Sequence, residues 1–156
     1  MKRMLFIVGL GLVFSVFACQ NPNVLVDENQ SIDQARWTYV KPIKITVPIV
    51  DTTAAYAVFI NLRHTEEYAY SNIFIRIKQH NPNKSQKVWR KEYTLANLEG
   101  EWLGTGSGNL LNHQLLLFKN HRFAHAGTYV FELEQNMRDN PLKGVSDIGL
   151  RVEKQP

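Results

Sequence analysis

Apolar and polar residues alternate repeatedly over short segments of this sequence. In residues 43–47 apolar and polar side chains alternate up to Pro48, which is expected to end the strand. Four apolar side chains lie two apart in residues 56–63, and three isoleucines repeat this spacing in residues 73–77. A period of two is typical of strands with one buried face. The pattern therefore predicts a β protein.

Further strands are predicted along the rest of the chain, with turn sequences between them. They cover residues 88–95, 111–118, 127–134 and 148–152. A polar turn at residues 81–85 and a glycine-rich bend at residues 100–109 separate the earlier ones. Seven or eight short strands without a long helix favour an all-β fold, a single antiparallel β-sandwich of jelly-roll or immunoglobulin-like type. A partly closed barrel is the alternative.

Residues 1–18 have the layout of a secretory signal peptide. Two basic residues, Lys2 and Arg3, precede an apolar run over residues 4–17, and the small residue Ala18 closes it. A transmembrane helix needs roughly 20 apolar residues, and this run ends earlier because the residues from Gln20 onward are polar. Cleavage after residue 18 is the prediction, and an uncleaved signal anchor is the alternative.

Cys19 is predicted to be the point of lipid attachment. Residues 16–19 resemble the bacterial lipobox, although Phe17 is bulkier than usual at its position. Cys19 is the only cysteine of the chain, and a lone cysteine in a secreted protein must pair with another molecule, stay reactive or be modified. Lipidation explains both its position and its solitude, and more than one acyl chain gives stable anchoring.

The remainder is long enough for one domain with an ordinary core. Removal of residues 1–18 leaves 138 residues, of which 16 are basic and 14 acidic. Residues 19–33 are predicted to be the lipidated N-terminus and a tether with one short ordered piece, and residues 34–156 the sandwich. Because basic and acidic residues are interspersed, nucleic acid is not an expected partner.

No residue pattern in the sequence indicates catalytic chemistry more strongly than a structural role. The glycine cluster at residues 104–108 is not followed by the lysine and helix of a phosphate-binding loop. His121 and His125 have helical spacing, but Gly127 and the strand behind it argue against a helix, and no further ligand lies at suitable spacing. Ser107 lacks the flanking spacing of a nucleophile elbow. We therefore expect no enzyme activity, metal, cofactor or small-molecule substrate.

The C-terminal region is dense in side chains that form specific hydrogen bonds. We expect five polar residues to lie together at one end of the sandwich, joined by charge-assisted bonds. They are Arg63, Gln135, Arg138, Asp147 and Arg151. Two roles fit such a group, a network that clamps the strands and a recognition face, and the sequence leaves both open.

The chain resembles the gliding motility lipoprotein GldH family of Bacteroidetes. The resemblance covers the lipobox and residues 56–73, 100–108, 123–138 and 147–154, with Leu-Arg-His-Thr at 62–65 and Glu-Gln-Asn-Met-Arg at 134–138 as its most specific motifs. It implies an outer-membrane lipoprotein of the gliding machinery, which is linked to type IX protein secretion, with other envelope proteins as partners. It brings no catalytic residues. The residues after Cys19 lack an acidic cluster, which favours a domain that faces the periplasm.

Two functions from different classes follow. The first is a non-catalytic structural or assembly component that binds other envelope proteins. The second is a glycan- or peptidoglycan-binding module that uses Trp37, Trp89 and Trp102 on a β scaffold. Exposed tryptophans aligned on one face would favour glycan binding, whereas buried ones would favour a protein partner.

Overall fold

A computed structural model describes residues 21–156. The predicted signal peptide and Cys19 lie outside the described residues. The strands are β1 (Val24–Ser31), β2 (Arg36–Trp37), β3 (Ile43–Ile49), β4 (Tyr56–Thr65), β5 (Asn72–His80), β6 (Gln86–Thr94), β7 (Thr105–Ser107), β8 (Leu110–His121), β9 (Gly127–Gln135), β10 (Leu142–Lys143) and β11 (Val145–Lys154). Within residues 21–156, the helical structure is one 3-10 turn, Asp33–Ala35.

The strands form two main antiparallel sheets and one small ribbon. The first sheet has the order β1-β11-β4-β8-β7 and the second has the order β3-β9-β5-β6, while β10 pairs with β2. When the three short strands are set aside, the chain passes between the sheets in the order of a jelly roll, with two interlocked Greek keys. The predicted all-β sandwich is therefore confirmed, and its topology is that of the jelly roll.

The core lies between the inner faces of the two sheets and follows the predicted period of two. The buried apolar side chains of the five-stranded sheet include Val58, Ile60, Leu62, Ile148, Leu150 and Val152. Those of the four-stranded sheet are Ile43, Ile45, Val47, Ile49, Ile73, Ile75, Ile77, Tyr129, Phe131 and Leu133. Alternation thus assigned the inner and outer faces of these strands correctly.

The prediction that Pro48 ends its strand is wrong. The strand β3 continues to Ile49, and Pro48 lies opposite Thr128 of β9. Proline lacks an N–H group, but β3 is the edge of its sheet, where one side of the backbone has no neighbouring strand to bond.

The boundary of the tether at residue 33 is also corrected. Residues Val24–Ser31 form β1, which pairs along its length with β11, so the sandwich begins at residue 24. Leu25 and Val26 pack against the core, whereas the next three residues are exposed. An edge strand with polar side chains on both faces carries no alternation, and this is why the sequence pattern missed it.

The glycine-rich bend contains a strand as well. Thr105–Ser107 form β7, which pairs with the start of β8 in a tight hairpin. A Cβ atom on Gly106 would collide with the carbonyl oxygen of Leu110, so the close approach of these two chains requires a glycine.

Candidate functional site

The outer face of the five-stranded sheet carries a row of polar residues that crosses all five strands. Its members are register partners on successive strands, and we call them the polar row. They are Ser31, Asp147, Arg63, Asn112 and Thr105. Directly opposed side chains on neighbouring strands are close enough to interact, so strand register alone brings the five residues together.

Hydrogen bonds and one ion pair join the polar row from one edge of the sheet to the other. The Ser31 hydroxyl donates to the Asp147 carboxylate at 2.9 Å, and the Arg63 guanidinium lies 3.7 Å from the same carboxylate. The Nε of Arg63 donates to Asn112 Oδ1 at 2.6 Å. The Asn112 amide in turn donates to the Thr105 carbonyl at 3.0 Å. The row therefore holds its side chains in fixed orientations.

A second cluster on the same face centres on Arg151. Its guanidinium contacts the Asp27 carboxylate at 2.6 Å and the Glu153 carboxylate at 3.0 Å. The Asn61 amide donates to the other oxygen of Asp27 at 2.8 Å. Partial burial lowers the pKa of Arg151, but the bonds from Asp27 and Glu153 outweigh this effect, so its pKa lies above the usual value.

A groove of about 250 Å³ lies between these clusters. We call it the outer groove, and its polar lining includes Asp27, Asn29, Asn61, Arg63, Asn112, Gln114 and Asp147. Gly149 lies between Asn29 and Asn61 in register and leaves the middle of the sheet without a side chain. A Cβ atom there would collide with the carbonyl oxygen of Glu28. The groove thus offers amides, carboxylates and a guanidinium to a ligand that forms hydrogen bonds.

Two histidines stack on the inner side of the same sheet. The Nε2 atoms of His64 and His113 lie 3.0 Å apart, and His64 Nδ1 lies 2.8 Å from the Thr65 carbonyl. Since a carbonyl only accepts, His64 carries its proton on Nδ1, and His113 Nε2 must donate to His64 Nε2. Burial lowers the pKa of both, that of His113 to about 4 with a further contribution from His64. Trp102 packs against His64 and closes the pair from the loop side.

The expectation that five polar residues form one network is wrong. Arg63 and Asp147 contact each other. Arg151 lies four residues further along β11 on the same outer face, with Asp27 and Glu153 as partners. Gln135 and Arg138 belong to a different region, the turn that follows β9 in the four-stranded sheet. Arg63, Asp147 and Arg151 therefore lie on the outer face of the five-stranded sheet and not at one end of the sandwich.

Several residues of the outer groove were missed by the sequence reasoning. Asn61 lies on the polar side of the period-two pattern in residues 56–63, but nothing in the sequence singles it out. Asn112 and Gln114 alternate with inward residues on β8 and could have been found from that pattern. Asp27 and Asn29 could not be found in this way, because the sequence predicts a tether over residues 19–33.

The three tryptophans do not line up on an exposed face. Trp37 is 1% exposed and belongs to the core. Trp89 is partly buried and packs on Phe118 at a ring distance of 5.0 Å, and Trp102 packs on His64 at 4.5 Å. The three tryptophans therefore do not form a common aromatic surface, either in the outer groove or elsewhere.

Metal-binding side chains are scattered over the part of the chain that the structure describes. No group of three or more histidine, cysteine, aspartate or glutamate residues there is placed to hold an ion. His121 stacks on Phe118, while His125 contacts Tyr129 through its backbone, so the two do not form a helical pair. Residues 21–156 contain no helix that could span a membrane.

Comparison with known proteins points to one family. The family described as GldH lipoprotein matches residues 24–152. A gliding motility lipoprotein GldH homolog from Christiangramia forsetii is 30% identical over 146 residues, covering 89% of both chains. The gliding motility lipoprotein GldH of Flavobacterium johnsoniae is 28% identical over 147 residues, covering 90% of both chains. No solved structure matches this chain.

Proposed function

The chain belongs to the GldH lipoprotein family, and we propose that it is a non-catalytic structural or assembly component of the gliding motility machinery. The family match confirms the resemblance that the sequence motifs indicated. In this proposal the protein is anchored by lipid at Cys19 to the outer membrane, faces the periplasm and acts in the machinery linked to type IX secretion. It turns over no substrate.

The position of β1 sets how far the domain can lie from the membrane. Four residues separate Cys19 from Val24, the first residue of β1. Fully extended, this stretch reaches at most about 18 Å, whereas a tether to residue 33 would have reached about 45–50 Å. A lipid on Cys19 therefore holds the sandwich close to the bilayer, and its partners must be reachable from there.

The outer groove is the surface that best fits protein docking. Its side chains are already ordered by bonds such as those of Arg63 to Asn112 and Asp147, so less conformational entropy is lost on binding. Hydrogen-bonding side chains and guanidinium groups suit the backbone and side chains of a folded partner. The glycan alternative is less supported, because the tryptophans that would stack on sugar rings pack elsewhere.

Cys19→Ser is expected to abolish lipid labelling and membrane retention, because serine offers no thiol for the thioether bond. The measurement is uptake of radiolabelled palmitate, together with fractionation of the envelope. Gln20→Ser serves as the control, since it changes the neighbouring residue and leaves the thiol in place. Equal labelling of Cys19→Ser and wild type would refute lipidation at this residue.

A further inference from the structure

A pocket of about 380 Å³ lies beside the turn after β9, away from the outer groove. We call it the arginine pocket. The lining residues that matter here are Tyr70, Phe74, Arg90, Met137, Arg138 and Asp139. Arg138 lines this pocket, and the family match assigns no role to the pocket.

The floor of the arginine pocket is apolar. The Phe74 backbone N–H donates a hydrogen bond to the Met137 sulfur at 3.2 Å, and this bond holds Met137 beside Phe74. Tyr70 adds a third apolar surface, with its hydroxyl turned to Asp139. A flat or branched apolar side chain is the kind of group that such a floor receives.

The turn that carries Met137 and Arg138 is held rigidly by Gln135. This side chain is 0% exposed, donates to the Asp139 carbonyl at 2.9 Å and accepts from the Met137 backbone N–H at 2.8 Å. The Asn136 N–H also donates to the Phe74 carbonyl at 2.8 Å. The pocket is therefore formed before any ligand arrives, which lowers the entropic cost of binding.

The rim of the arginine pocket has positive charge that the described residues leave uncompensated. No carboxylate in residues 21–156 lies within salt-bridge distance of the Arg90 or Arg138 guanidinium. Arg90 lies over the Phe74 ring at 3.9 Å and uses only its Nε, which donates to Asn136 Oδ1 at 2.6 Å. Its two terminal nitrogens have no partner within the described residues.

Neighbouring charges strengthen this excess. Arg90 stands directly opposite Arg76 in the register of β5 and β6, and like charges so placed destabilise a sheet. Arg76 is paired with Glu134 at 3.4 Å. The one carboxylate of the pocket, Asp139, already accepts the Tyr70 hydroxyl at 2.6 Å. An incoming anion would therefore meet two guanidinium groups that are available to it.

We propose that the arginine pocket binds a short acidic–aromatic segment of a partner protein, in which a carboxylate neighbours an aromatic side chain. The carboxylate is bound by Arg90 and Arg138, whose planar donors match its two oxygens. The aromatic ring packs on Phe74 and Met137. The arginine pocket is separate from the outer groove, so this proposal does not depend on whether the outer groove docks a partner.

The test uses Met137 as a reporter. The chain has three methionines, and Met137 is the one in residues 21–156. The full-length lipoprotein, labelled with [methyl-13C]methionine and held in phosphatidylcholine nanodiscs, is titrated with the capped peptide Gly-Glu-Phe-Glu-Gly. The Met137 methyl signal, assigned with Met137→Leu, is expected to shift and saturate at peptide concentrations below about 1 mM.

Matched peptides and variants separate the two parts of the site. Replacing both glutamates by glutamine, or the phenylalanine by alanine, is expected to weaken binding at least about tenfold. Arg138→Ala is expected to do the same, while Arg138→Lys retains charge and falls in between. Lys119→Ala removes an exposed cation from β8 and is expected to leave the affinity unchanged.

Three outcomes would overturn the proposal. One is an absence of any saturable shift with the acidic–aromatic peptide. Another is equal affinity for the glutamate and glutamine peptides, which would remove the role of Arg90 and Arg138. The third is a Met137 shift in nanodiscs that contain phosphatidylglycerol without a shift from the peptide, which would assign the pocket to anionic lipid headgroups.

Discussion

Gly144→Ala is expected to lower the free energy of unfolding by about 2–4 kcal/mol. Gly144 joins β10 to β11 with φ of +87°, a region that costs an L-residue energy. Its N–H donates to the Ala35 carbonyl at 2.9 Å, and its carbonyl accepts from Thr65 N–H at 2.8 Å, so the backbone cannot turn away. An added Cβ would lie 2.7 Å from both N and Cα of Tyr68, which are backbone atoms that must move.

Gly100→Ala is the matched control for this effect. Gly100 has nearly the same φ, +85°, but no atom lies within 4 Å of an added Cβ. Only the backbone cost of about 1–2 kcal/mol is expected there. Urea denaturation of both variants gives the difference, which isolates the contact with Tyr68. Equal losses of stability would contradict the packing described around Gly144.

Acidification from pH 6.5 to 4 is expected to lower stability by on the order of 2 kcal/mol through His113. Burial, with a smaller effect of His64, lowers the pKa of His113 from 6.5 to about 4 in the folded protein. Over this interval the unfolded chain binds a proton at residue 113 that the folded protein excludes. The contribution is therefore complete above pH 6.5 and is lost as the pH falls toward 4. A proton added to His64 would go onto Nε2 and would set it against the donor N–H of His113 Nε2.

His113→Gln tests this assignment through the slope of the pH profile rather than through stability at one pH. The variant is expected to lose less stability than wild type between pH 6.5 and 4, even if it is less stable throughout. His125→Gln is the control, because His125 is exposed and its substitution should leave the slope unchanged. Superimposable slopes for wild type and His113→Gln, from urea denaturation at each pH, would contradict a buried neutral His113.

Much of the sandwich could be predicted from the sequence, because one-sided burial leaves a period-two pattern. The strands around Ile60, Ile75 and Phe131 have one apolar face and were assigned with the correct side inward. The edge strand β1 escaped because Asp27, Glu28 and Asn29 are all exposed. An edge strand gains order from backbone pairing with β11, and backbone pairing has no side-chain signature.

The candidate site could be predicted only in part, since it depends on strand register. Arg63 and Asp147 are 84 positions apart in the chain and meet because β4 and β11 pair in one particular alignment. Gln135 and Arg138 looked like members of the same group because they are also polar and lie near β11 in sequence. Pairing of β9 with β3 and β5 places them in the other sheet. Alternation predicts on which face of its strand a residue lies, but it does not predict which strand pairs beside it.

Docking of an envelope protein in the outer groove can be tested by site-specific photo-crosslinking in living cells. A photoreactive residue replaces Gln114, which is exposed on the outer face of the five-stranded sheet, or, as the control, Thr46, which is exposed on the outer face of the other sheet. We expect Gln114 to give a discrete crosslinked protein that Thr46 does not give. Identical patterns from the two positions, or no adduct from Gln114, would contradict the claim.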